Sequence, residues 1–184
     1  MSSSGRNWVS NQLPTEEQAL QILKESGCSP KVISHCKAVS KLAVEIAQKC
    51  QKKGQKVDVD LVRAGGLLHD LGRTKTHTVN HVVAGVEIAR VWGVPETVVA
   101  CISRHLGGGL TSAEAEKLGW PKGVYAPQTL EEKIVCYSDK LIGTSKRIPL
   151  EKTINGLRRE KLNDAADRVQ RLHEEITKLV GDYP

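Results

Sequence analysis

Six side chains of this 184-residue sequence could share one piece of chemistry: His35, His69, Asp70, His81, His105 and Asp139. Imidazole nitrogens with carboxylate oxygens suit divalent Mn, Fe, Co, Ni or Zn, and Mg suits a carboxylate-rich part. The anchor is the adjacent pair that closes an apolar run, Ala-Gly-Gly-Leu-Leu-His69-Asp70-Leu-Gly72. Polar groups on such a run are costly unless bonded. A core histidine bonded to its neighbouring acid is the ordinary explanation, and the other four positions favour a metal instead. His35 lies three after Val32 and four before Val39, and His81 shares a helical face with Ala84, Gly85 and Ile88. His105 is in phase with Val98, Cys101 and Ile102, and Asp139 is four after Val135. At helical period all six face inward. The pattern shows too few cationic partners for them, and such a core is hard to stabilise without metal. Six ligands exceed what one ion uses when it also keeps water. Two ions bridged by a carboxylate would use all six, with Asp70 as the natural bridge.

The elements that must carry these residues read as helices throughout. Thr15 with Gln18 forms a capping box that opens a helix stopping near Gly27, and Ser29-Pro30 opens another that runs to about Lys53. Asp58 caps a helix over 59–71 that carries His69-Asp70. Gly65 and Gly66, four and three residues before His69, would let a neighbouring helix backbone come close. Gly72 ends that element, and 73–77 reads as a polar loop. Further helices are expected over 79–92, 95–105, 111–118 and 129–142, with Gly107-Gly108-Gly109 breaking the chain and 120–127 forming a loop. Residues 150–180 read as one or two amphipathic helices packed on the outside. Residues 1–13 are expected to form a flexible tail, with Trp8 tucked against the body. The fold class is all-α: a compact single-domain helical bundle over 14–184, its motif-bearing core at about 30–145.

Composition narrows the partners. A net charge of +6 favours anionic ones such as phosphate esters or nucleic acid. With 3% aromatics and no Phe, a stacking platform for single strands is disfavoured. The stretch Arg158-Arg159-Glu-Lys161 alternates with acids and reads as a solvated helix face, so nucleic acid is only weakly supported. Five cysteines without a Cys-x-x-Cys pair read as reduced thiols. No signal peptide or bilayer-length run is seen, so the expected location is cytoplasmic, with no membrane partner.

The order His35…His69-Asp70…Asp139 resembles the signature of the HD superfamily of metal-dependent phosphohydrolases. His-Asp-Leu-Gly is similar to the HDIG variant, and Ser-Asp139-Lys140-Leu to the family's final Asp-Lys; the likeness covers about residues 30–145. His81 and His105 resemble the extra histidines of two-metal branches, which include bacterial diadenosine tetraphosphate hydrolases. The resemblance implies an HD-type bundle in which His35, His69, Asp70 and Asp139 hold one ion. His81 and His105 would hold a second, with Asp70 shared. It also implies hydrolysis of a nucleotide or dinucleotide through metal-activated water. Arg73 stands where many relatives have a Lys and is assigned to substrate phosphate. Lys140 and Arg104, each beside a ligand, are further candidates, with a salt bridge as their alternative. His77 is set aside in favour of His81, and His173 reads as surface. The chain after His105 lacks the Gly-Tyr-Pro motif of cyclic-di-GMP phosphodiesterases, and the additional domains of the large (p)ppGpp enzymes are not expected. The competing expectation is a regulatory or RNA-binding module that keeps metal as a structural element.

Overall fold

The computed structural model describes residues 12–181; the expectations for residues 1–11, Trp8 included, lie outside the described residues. The described residues are all-α, with strand character limited to the isolated bridges Leu110–Tyr125 and Ile142–Arg147. The helices are α1 (Glu16–Glu25), α2 (Pro30–Lys52), α3 (Val59–Leu68), α4 (His81–Val91), α5 (Glu96–Ser103), α6 (Ser112–Lys117), α7 (Leu130–Lys140), α8 (Leu150–Arg159) and α9 (Asn163–Val180). Their starts follow from local chemistry. Thr15, Thr111 and Thr129 form reciprocal capping boxes with Gln18, Glu114 and Glu132, and Ser29 and Asp58 accept from the free amides of α2 and α3. No helix among the described residues is long and apolar enough to cross a membrane.

α3 is the inner element, packed against α2, α7, α5 and α1. Its two glycines make that packing close on two sides. A Cβ on Gly65 would stand 2.8 Å from Cys101 Sγ on α5, and one on Gly66 would stand 2.7 Å from Ser40 Cα on α2. One apolar cluster joins α2 to α7, α8 and α9 through Leu42, Ile46, Ile134, Val169 and Ile176. A second joins α1, α3, α4 and α5 through Ile22, Leu23, Leu67, Leu68 and Ile102.

The structure moves two expected helix ends. The helix expected over 59–71 ends at Leu68, so His69 and Asp70 sit in the turn that follows, before a 3-10 turn over Leu71–Thr74. The helix expected over 95–105 ends at Ser103, and His105 lies just beyond it. In both cases the histidine ring takes a carbonyl of the last helical turn, which is free at a helix end. The C-terminal segment forms two amphipathic helices, as expected; α9 buries Ala166, Val169 and Ile176 in the core while Asp164, Asp167, Arg171 and Glu174 stay exposed.

Gly72 is the tightest point of the fold. A Cβ there would lie 1.8 Å from the His81 carbonyl oxygen and 2.5 Å from Gly85 N, both backbone atoms that no rotamer change can move. Gly72→Ala is therefore expected to lose at least about 3 kcal/mol in urea unfolding. Gly156→Ala, in α8 with nothing near its added methyl, is expected to gain about 0.5–1 kcal/mol.

Candidate metal centre

The six candidate ligands converge from separate elements onto one cluster. His35 comes from α2, His69 and Asp70 from the turn after α3, and His81 from the first residue of α4. His105 follows α5, and Asp139 lies near the end of α7. Asp70 stands between two sets. Its Oδ2 lies 3.8 Å from His35 Nε2 and 3.7 Å from His69 Nε2. Its Oδ1 lies 3.1 Å from His81 Nε2 and 3.6 Å from His105 Nε2. Asp139 Oδ1 closes the first set, 3.0 Å from His35 Nε2 and 3.5 Å from His69 Nε2. Donors held about 2.0–2.2 Å from one ion sit about 3–3.5 Å apart, close to the 3.0–3.8 Å seen within the two sets.

The fit to a cation rests on proton bookkeeping. His35, His69, His81 and His105 each donate Nδ1–H to a backbone carbonyl, of Gly143, Gly66, Thr78 and Ile102 respectively, at 2.7–2.9 Å. A carbonyl only accepts, so the neutral ring keeps a bare lone pair on Nε2. Those lone pairs face other acceptors. His81 Nε2 and His105 Nε2 are 3.1 Å apart, and His69 Nε2 and Asp70 Oδ1 are buried without a hydrogen-bond partner among the described residues. Acceptors turned on acceptors in a dry pocket need a cation or extra protons between them. The donor set therefore fits divalent metal, and its carbonyl-anchored imidazoles are the usual support of metal-ligating histidines.

Electrostatics disfavours a proton on His105. Burial holds the His105 imidazole down to about 4. Burial also pulls on His69, but the Asp70 carboxylate, together with Asp139, outweighs it and raises that ring. Burial would raise the Asp70 carboxyl; His69, with His105 and His81, overcomes it and holds the acid well below the usual carboxylate range. Asp139 is depressed in the same sense, burial being overcome by Lys140 and His35.

The remaining sequence candidates divide. Arg73 Nε donates to Asp70 Oδ2 at 2.7 Å and its NH1 to the His77 carbonyl at 3.2 Å, while Lys140 Nζ donates to Asp139 Oδ2 at 2.6 Å. The expectation that the acids have too few cationic partners is thus corrected: each has one. Arg104 turns away and pairs with Glu132 at 2.8 Å, so of its two readings the salt bridge is the one seen. His173 is no free surface group, because its Nδ1 lies 2.7 Å from the Tyr137 hydroxyl. His77 stays outside the cluster, on the rim of a cleft of about 270 Å³ that His35, Asp70, Arg73, Lys31, Ser29 and Thr144 also line. Lys31 and the anchoring carbonyls escaped sequence reasoning. Three of those carbonyls had a signal, since Gly66, Thr78 and Ile102 each lie three residues before the histidine they fix.

Residues 32–143, which hold all six candidate ligands, match the family model of the HD domain. The chain belongs to the HD family. The chain is 40% identical over 169 residues to a tRNA (cytidine(56)-2'-O)-methyltransferase of Thermoplasma volcanium, spanning 92% of this chain and 48% of that protein. The chain thus spans about half the length of that relative. It is 45% identical over 166 residues to an uncharacterised protein of Methanocaldococcus jannaschii, covering 89% of this chain and 98% of that one. Among solved structures, the HD domain of the Listeria monocytogenes phosphodiesterase PgpH, crystallised with cyclic-di-AMP, aligns with a TM-score of 0.53 at 19% identity. That alignment covers 90% of this chain and 98% of the other and shows the shared HD fold.

Two outcomes are expected. A divalent ion at a hundredfold excess over its Kd should add about 2.7 kcal/mol, or about 5–10 °C in melting temperature. Asp70→Asn should abolish that shift, and a parent chain with no shift would contradict the centre. In EDTA-treated protein, the unfolded chain holds more protons on His105 than the folded one between its ordinary 6.5 and about 4. Stability should therefore fall with acid through that window, and His69, raised above 6.5, should cost stability as pH rises beyond it. Urea unfolding should show a maximum near pH 6.5, with the acid side flattened in His105→Gln.

Proposed function

We propose that this HD domain is a metal-dependent phosphohydrolase that cleaves a phosphodiester, phosphoanhydride or phosphomonoester bond of a nucleotide or dinucleotide. The observation that supports it most is the division of Asp70 between two imidazole sets, with Oδ1 buried and unpartnered. A carboxylate so placed suits two ions, one held by His35, His69, Asp70 and Asp139, the other by Asp70, His81 and His105. Divalent ions bound there (Mn, Fe, Co, Ni, Zn or Mg) would supply a water acidic enough to ionise near neutral pH and charge to match phosphate oxygens.

The chain's own groups do the rest. His35 and Asp139 are 16% and 15% exposed, whereas His81 and His105 are sealed, so substrate enters from the His35 side. Arg73 lines that entrance with Lys31 and His77. Its Nε and NH1 are committed to Asp70 and His77, and its NH2 is left to meet a phosphate oxygen. Lys140 holds Asp139 from behind, fixing which carboxylate oxygen faces the imidazoles. No residue of this constellation needs to form a covalent bond to substrate.

A second reading has one observation in its favour. The Thermoplasma volcanium relative is named for a tRNA-modifying activity, and about half of it matches this chain. A metal-containing module that binds RNA without turnover would show RNA affinity falling steeply with salt. The phosphohydrolase should instead turn over bis(p-nitrophenyl) phosphate or a member of a nucleotide and dinucleotide panel when Mn is added. Asp70→Asn should lower kcat/KM at least about a thousandfold, and Arg73→Ala should raise KM about tenfold. Salt-sensitive RNA binding with no hydrolysis of any of these substrates would decide for the second reading.

A further inference from the structure

We infer that Arg168, on the C-terminal helix α9, is a positioning residue for the His81–His105 half of the centre. This rests on the two-ion reading above. The loop after His105 runs through three consecutive glycines with φ of 58°, 73° and 101° at Gly107, Gly108 and Gly109. That left-handed run reverses the chain, and only glycine enters it without strain. The loop is also gripped. A Cβ on Gly108 would stand 2.9 Å from Val169 N on α9, and one on Gly109 would stand 2.8 Å from Pro127 Cδ on the other side. The glycines therefore serve close packing between α9 and the 126–127 segment.

Arg168 ties this arrangement together. Its Nε donates to the Gly107 carbonyl at 3.4 Å and its NH2 to Glu114 Oε1 at 2.9 Å, with the side chain 15% exposed. From the opposite side Cys136 Sγ donates to the His105 carbonyl at 3.2 Å. The Nδ1–H bond to Ile102 sets the direction of the His105 ring, but the loop backbone sets how deep the ring sits. Depth matters because metal–ligand distances tolerate only about 0.2 Å. His35, His69 and Asp139 have no part in this loop, so their half should not feel Arg168. α9 itself docks through Ala166, Val169, Leu172 and Ile176, so it does not need Arg168 to stay in place.

The test is equilibrium dialysis of the full chain against buffered free Mn, with metal content read by mass spectrometry, on the parent, Arg168→Ala, Arg168→Lys and His105→Ala. A lysine keeps the charge opposite Glu114 but lacks the fork that also reaches Gly107. Both Arg168 variants are expected to weaken about tenfold the binding step that His105→Ala removes, while the other step stays within about twofold. The urea midpoint of Arg168→Lys is expected to match the parent, and that variant decides if Arg168→Ala fails to fold. Two unchanged steps in a folded variant would overturn the assignment. So would parallel weakening of both steps with a fallen urea midpoint, which is the mark of a merely structural arginine. A parent chain that binds fewer than two ions would instead remove the two-ion reading itself.

Discussion

Every imidazole of the centre gives its Nδ1–H to a backbone carbonyl, and the rest of the site depends on that bond. It fixes the tautomer, aims Nε2 and leaves no proton on the inward nitrogen. Three of the four carbonyls are local, three residues back at a helix end or in the turn before one. The carbonyls of Gly66 and Ile102 are open to a ring because α3 and α5 stop there, and that of Thr78 lies in the turn before α4. The fourth, from Gly143 to His35, crosses the fold and ties the end of α7 to the start of α2. The tight glycine contacts serve the same end, since Gly66 and Gly72 bring α3 and its following turn close enough for the carboxylate of Asp70 to reach both imidazole sets.

The charges are arranged around that constraint. Lys140 and Arg73 approach Asp139 and Asp70 at their Oδ2 atoms, and a carboxylate oxygen has a second lone pair to offer. The cations neutralise the acids from outside without closing the space between the imidazoles. Burial divides the centre in two. The half with His35 and Asp139 reaches the cleft through His35, while His81 and His105 are enclosed. In the proposed two-ion reading, the enclosed half suits a permanently held ion and the open half one that also meets substrate.

Much of this was legible from residue types. Apolar phase placed His35, His81 and Asp139 on inward faces, caps at Thr15, Ser29 and Asp58 marked helix starts, and an all-α fold followed. The ligand count offered Asp70 as a bridge, and the family resemblance implied the same shared role. What sequence reading missed were backbone facts. It ran helices through His69-Asp70 and up to His105, because periodicity cannot show that a ring will capture the carbonyl of the preceding turn. Arg104 and Lys140 looked alike, each next to a ligand in sequence, and only the fold shows one turned to Glu132 and the other to Asp139.

The most direct measurement of the central claim is a crystal structure of the chain soaked in Mn, with an anomalous difference map at the Mn edge. Two peaks are expected, one on each side of Asp70 and about 3.5–4 Å apart. The outer peak should lie against His35, His69 and Asp139, the inner against His81 and His105. A single peak, or peaks that leave Asp70 Oδ1 and the Nε2 atoms of His81 and His105 untouched, would contradict the account.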